Sequence, residues 1–129
     1  MINVSELRIG SFVTTVMSDR IYPVSDIKSM GAIEGKFHII KVDGIHDLSF
    51  LKEHIFPIPL NPDVLLKYGF QYTASKKEMF WPKDDRFRWW GGNIVVEFET
   101  GSSSYNLDAD IVHLHQLQNL IHIITGKEL

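Results

Sequence analysis

The 129 residues of this chain include no cysteine, which excludes disulfides, thiolate metal ligands and cysteine nucleophiles and fits a reducing compartment. Long apolar runs are missing as well: no window approaches the roughly 18 uninterrupted apolar residues of a membrane helix. The opening, MINVSELRIG, lacks the basic start and apolar stretch of a signal peptide. These absences place the chain among soluble, cytoplasmic proteins with no membrane contact. A dominant charge is absent too. The net charge of −3 gives no global attraction to nucleic acid or an anionic membrane, so such binding would require a local patch. No serine lies in a G-x-S-x-G setting, and the loop Gly101 to Ser104 lacks the lysine and spacing of a phosphate-binding loop. With no repeat, low-complexity tract or linker, the expected organisation is one domain over 1–129. Residues 1–60 are β-rich, and 61–129 hold a helix, a β-hairpin region and a C-terminal helix.

What is present is patterned. The apolar fraction of 44% is ordinary for a globular chain long enough to bury a core without staples. In the C-terminal LHQLQNLIHIITGKEL, Leu114, Leu117, Leu120, Ile121 and Ile124 recur at three- and four-residue steps and predict one apolar helix face. His115, Gln118, Asn119 and His122 fall mostly on the other side. Gly126 sits where a left-handed residue closes a helix, and Lys127 lies beside the terminal carbonyls. So short a helix needs a partner surface, expected to be a sheet built from the preceding chain. A second helix is predicted over Pro62 to Tyr68: Asn61 caps it, Pro62 stands at N1, Asp63 complements the dipole and Gly69 stops it. Val64, Leu65 and Tyr68 would face inward.

Strands are predicted over Ser11–Met17, Ile21–Val24, Ile27–Ile33 and Lys36–Val42, with turns at Ser18-Asp19-Arg20 and Gly35. Pro23 implies an edge or a bulge. Ile55 to Leu60 is an extended connector stiffened by two prolines. Further extended runs are Phe70–Ala74, Glu78–Trp81, Phe87–Trp90 and Asn93–Thr100, with Gly91-Gly92 a turn or bulge. Tyr105 to Leu107 and Ala109 to His113 are either a last strand or the entry to the final helix. The expected fold is α+β: a bent, mostly antiparallel sheet whose N-terminal portion forms a small partial barrel, a short central helix, and a C-terminal helix packed on the sheet.

Two phrases resemble a known class. IPLNPDVLLKYGF, followed by HLHQLQNLIHIITGKEL, is similar to small uncharacterised Bacteroidetes proteins associated with prophages and mobile elements. In that class an I-P-L segment opens a short helix ending in Gly-Phe, here Gly69-Phe70, and the chain closes on H-x-L-Q-N-L, here His115 to Leu120, with a T-G-K-E-L tail. SELRIGSFV resembles the usual opening, while Ile121-His122 replace the usual aromatic after Q-N-L. The resemblance implies a source in a mobile element or phage and assigns no activity.

The most unusual stretch is Lys76 to Trp90, KKEMFWPKDDRFRWW, which holds all three tryptophans. Lys76, Lys77, Trp81, Arg86, Arg88, Trp89 and Trp90 are the candidate partner-binding residues. Flat rings could stack on bases or sugars while cations track phosphates. Against this, five cations are offset by Glu78, Asp84 and Asp85, leaving +2 over the segment. The simpler reading is a hairpin whose aromatics cover the sheet while its charged tip stays wet.

Six histidines raise a metal reading through His113, His115 and His122, with Asp108, Asp110, His38, His46 or His54 as supplements. Each pair supplies two ligands where zinc takes three or four, and no ligand-motif spacing occurs, so the expected cofactor set is none. His46-Asp47 and Glu53-His54 could pair a base with a carboxylate but have no marked nucleophile to activate. The preferred expectation is therefore a non-enzymatic interaction module binding protein or nucleic acid. The alternatives are a nucleic-acid-binding module using 76–90 and a small metal-dependent enzyme using the C-terminal histidines. A homodimer could use the edge near Tyr22-Pro23 or the apolar face of the last helix.

Overall fold

A computed structural model describes residues 2–30, 37–45, 48–100, 103–109 and 111–129, with backbone only at 30, 37, 98–100 and 103–109. The fold is α+β, and the described residues form two antiparallel five-stranded sheets and two α-helices. Among the described residues, no helix is long and apolar enough to cross a membrane. The chain divides into two units, Met1–Ile58 with His113–Asn119, and Pro59–Val112 with Leu120–Leu129.

The first unit contains β1 (Phe12–Thr15), β2 (Ser18–Met30), β3 (Phe37–Val42), β4 (Phe50–Leu51) and β5 (Ile55–Phe56) in the order β4-β3-β2-β1-β5. The edge strands β4 and β5 are joined by a single 3-10 turn, Lys52–His54. So short a link requires the sheet to curl until its edges nearly meet, which makes it a nearly closed barrel. Alternation along β1 buries Val13 and Thr15 while Phe12 and Thr14 stay half-buried. Val13 joins Ile2, Leu7, Val24, Ile40, Val42, Phe50 and Ile55 in one apolar core.

Two local expectations change. Thr15 pairs with Ser18, so the tight turn is Val16-Met17 and not Ser18 to Arg20, which belong to β2. Ile21–Val24 and the strand beginning at Ile27 are continuous in that long strand, which pairs first with β1 and then with β3. The change of partner occurs at a register shift between Val24 and Asp26, beside Pro23, where a residue without an N–H is tolerated. Ile33, Gly35, His46 and Asp47 lie outside the described residues.

In the second unit α1 spans Pro62–Lys67. Val64 N–H donates to Asn61 Oδ1 at 2.9 Å, the cap that the sequence predicts. At the other end Phe70 N–H donates to Leu65 O at 2.9 Å and Gly69 N–H to Leu66 O at 3.2 Å. With Gly69 at φ +99° this is a Schellman closure, and its two apolar positions, Leu65 and Phe70, are both buried. The meander β6 (Gln71–Tyr72), β7 (Glu78–Phe80), β8 (Phe87–Trp90), β9 (Asn93–Thr100) and β10 (Ser103–Ala109) follows. Gly91 and Gly92, at φ +63° and +87°, form the two-residue turn that pairs Trp90 with Asn93. Tyr105 therefore belongs to a last strand.

The final helix, α2 (Leu114–Thr125), stops one residue before Gly126, whose N–H donates to His122 O at 2.8 Å. Leu114, Leu117 and Ile121 are fully buried, as their spacing predicts. His115 and Gln118 are buried as well, at 1% and 2% exposure, contrary to the expectation of a polar outer face. For Gln118 the reason is visible in its neighbourhood, within the first unit. Phe12 N–H donates to Gln118 Oε1 at 2.7 Å, and Gln118 Nε2 donates to Gly10 O at 2.9 Å. Asn119 Nδ2 donates to Glu6 O at 2.6 Å, and Arg8 Nε donates to Asn119 Oδ1 at 2.9 Å. Gln116 Nε2 donates to Glu6 Oε2 at 2.8 Å, while its Oε1 accepts the His113 N–H at 3.0 Å in half of a capping box. The Q-L-Q-N stretch is thus a set of polar hooks holding the segment Glu6 to Phe12.

A candidate partner-binding face

The candidate residues of 76–90 separate according to strand alternation in the second sheet. Met79, Trp89 and Ile94 form one row across β7, β8 and β9, and Phe87 pairs with Val96. Met79, Ile94, Phe87 and Val96 are buried and Trp89 is half-buried, so this is the inner face. Trp81 joins that interior at 1% exposure, its ring set edge-on to Phe87 with centroids 6.0 Å apart. Lys83 Nζ lies 5.8 Å from the Trp81 ring centroid.

On the outer face stand Glu78, Phe80, Arg88, Trp90, Val95 and Glu97. Here Arg88 Nη1 donates to Glu78 Oε1 at 3.0 Å, and its Nε donates to Asp85 O at 3.2 Å and lies 3.5 Å from Glu97 Oε2. These are diagonal reaches: Arg88 lies directly opposite Phe80 on one side and Val95 on the other. The hydrogen bond to Glu78, reinforced by the charges of Glu78, Glu97 and Asp85, raises the Arg88 pKa above its usual value. Trp90 is 63% exposed beside this cluster. Glu78, Arg88, Trp90, Val95 and Glu97 line a shallow depression of about 170 Å³.

The remaining cations are arranged differently. Arg86 grips Asp84 through both Nε and Nη2, at 2.9 and 2.6 Å, and that hydrogen-bonded pairing lowers the Asp84 pKa. Lys76 and Lys77 are exposed in the β6–β7 turn, Lys76 at φ +58°. The structure thus brings together Arg88 and Trp90 and adds Val95 and Glu97, which lie beyond the segment that sequence reading singled out. The signal that could have found them is Gly91-Gly92: once read as a two-residue turn, it fixes the register that sets β9 across from β8.

The histidines behave otherwise. The His113 and His115 rings stack with centroids 5.9 Å apart, and His122 Nδ1 lies 3.1 Å from Glu128 Oε1. Among the described residues, neither ring nitrogen of His115 has a hydrogen-bond partner. Burial lowers the His115 pKa, opposed by the Glu6 charge and assisted by His113. His38 Nδ1 is 3.1 Å from Ser29 Oγ, and Glu53 and His54 lie exposed on the 3-10 turn. Asp110 falls outside the described residues. Among those described, no group of three or more His, Asp or Glu side chains is arranged to hold a metal ion. Compared with known proteins, the chain matches no family model, no curated protein and no solved structure.

Proposed function

We propose that this chain is a non-enzymatic, cytoplasmic interaction module of a mobile element or phage that engages a macromolecular partner through the outer face around Trp90. The observation that carries the reading is the 63% exposure of that indole on a strand paired on both sides, next to one guanidinium and two carboxylates. An exposed tryptophan contributes little to folding, yet it is among the side chains most enriched at the centres of protein interfaces. Strand pairing holds it in place before a partner arrives, which limits the entropy lost on binding.

The nucleic-acid alternative draws on the same segment and is supported less. Arg86 and Arg88 are engaged by carboxylates, and Trp81 is core, which leaves lysines at the margins. The metal-enzyme alternative has two adjacent histidines and lacks a third ligand among the described residues. The test is enrichment from lysate with the wild-type chain and Trp90→Ala as parallel baits. A macromolecule retained by the first and lost by the second supports the reading. Identical recoveries, or none, overturn it.

A further inference from the structure

We infer that the partner presents a basic protein segment, one lysine or arginine side chain lying across the Trp90 indole with its charge toward Glu78 and Glu97. This rests on the proposed role of the same face. The argument is one of charge complementarity. Arg88 lies against the carboxylates of Glu78 and Glu97, at 3.0 and 3.5 Å, so the cluster lining the depression carries one positive and two negative charges. Arg88 meets Glu78 at Oε1 and Glu97 at Oε2, and both acidic side chains remain about a third exposed, at 30% and 36%. Among the described side chains lining the depression, carboxylates therefore outnumber the one guanidinium. A phosphate-rich ligand would meet like charge there, whereas a cation would be drawn in.

The indole specifies the same class. Tryptophan is the best aromatic partner for a cation, and Trp90 is the exposed tryptophan of the three. Val95 gives the floor of the depression an apolar patch on which the methylene stem of a long cationic side chain can lie. The depression, at about 170 Å³, suits one side chain of a segment crossing the sheet. Lys83 lies over the buried Trp81, and Arg88 is bonded to Glu78, so the indole of Trp90 is left for an incoming cation.

The experiment is calorimetric titration of the full chain with a capped lysine-rich heptapeptide, the matching glutamate-rich peptide and a dT oligonucleotide. Three proteins are compared: wild type, Trp90→Ala and the isosteric pair Glu78→Gln with Glu97→Gln. The expected result is saturable binding of the lysine peptide alone, weakened about 3- to 30-fold in each variant, the range that one cation–π contact supplies. Equal affinity for all three proteins would overturn the site. Binding of the glutamate peptide or the oligonucleotide, lost in Trp90→Ala, would overturn the charge class while leaving the face a binding face. No binding of any probe would overturn the inference, and the lysate comparison would then decide separately whether Trp90 meets a partner at all.

Discussion

Two stretches of this chain are rich in polar and functional-looking residues, and they use them in opposite ways. Gln116, Gln118 and Asn119 are consumed by structure, each bonded within the first unit to the segment Glu6 to Phe12 or to its own helix start. The outer face of β7 to β9 keeps about a third of its two carboxylate side chains and most of one indole exposed to solvent. Both contain side chains that an inspection of motifs would nominate for binding. What separates them is whether the hydrogen-bonding capacity is already met inside the fold. The Q-N-L phrase is therefore best understood as architecture, and the Trp90 face as the place where capacity is left over.

The largest expected effect tests the interior side of the hairpin. Trp81→Ala removes a buried ring packed edge-on against Phe87 and should cost about 3–5 kcal/mol. Urea denaturation checks this; a loss under about 1 kcal/mol would mean the ring is not core. Next comes Gln118→Leu, which keeps the volume but removes the bonds that the amide makes with Phe12 N–H and Gly10 O. Losing these two part-buried hydrogen bonds should cost about 1–3 kcal/mol. An unchanged denaturation midpoint would reduce the hooks to incidental contacts and erase the contrast drawn above.

The fold class was legible because apolar spacing and helix punctuation are local. Asn61, Pro62 and Gly69 each do at α1 what their chemistry predicts, and Leu114, Leu117 and Ile121 are buried as their period requires. What escaped was set by partners distant in sequence. The polarity of Gln118 argues for solvent until the segment around Gly10 and Phe12 is placed beside it. The exposure of Trp90 and the burial of Trp81 could not be separated by composition, since both lie in one aromatic run. Alternation separates Trp89 from Trp90 only after the register of β8 is known. Glu97 escaped for the same reason: it lies 9 residues from Arg88 in sequence and 3.5 Å from it in space.

A third prediction concerns pH. His115 has its folded pKa lowered, chiefly by burial, so the unfolded chain takes up the proton first as the solution is acidified. Stability is therefore full above the unfolded pKa, about 6.5, and declines as pH falls toward the folded value. The limiting slope from this one group is about 1.4 kcal/mol per pH unit. Glu6 opposes the shift and His113 assists it, so the neighbours moderate the slope without reversing its sign. Denaturation curves between pH 7 and 5 should show the decline in wild type and a shallower one in His115→Phe. Parallel curves would locate the acid sensitivity elsewhere.

The smallest effect on folding is the most informative about function. Trp90→Ala alters a side chain that is 63% exposed and should shift stability by no more than about 0.5 kcal/mol. Acrylamide quenching of the three tryptophans should fall into two classes: a protected population from Trp81 with Trp89 half-shielded, and an accessible one from Trp90 that disappears in the variant. If the accessible population persists in Trp90→Ala, the outer face is not where the free indole lies, and the contrast between consumed and available residues fails at its main example. If it disappears while the denaturation midpoint holds, the indole is surplus to folding. Any binding lost in the same variant then belongs to the face itself, because the fold around it has not changed.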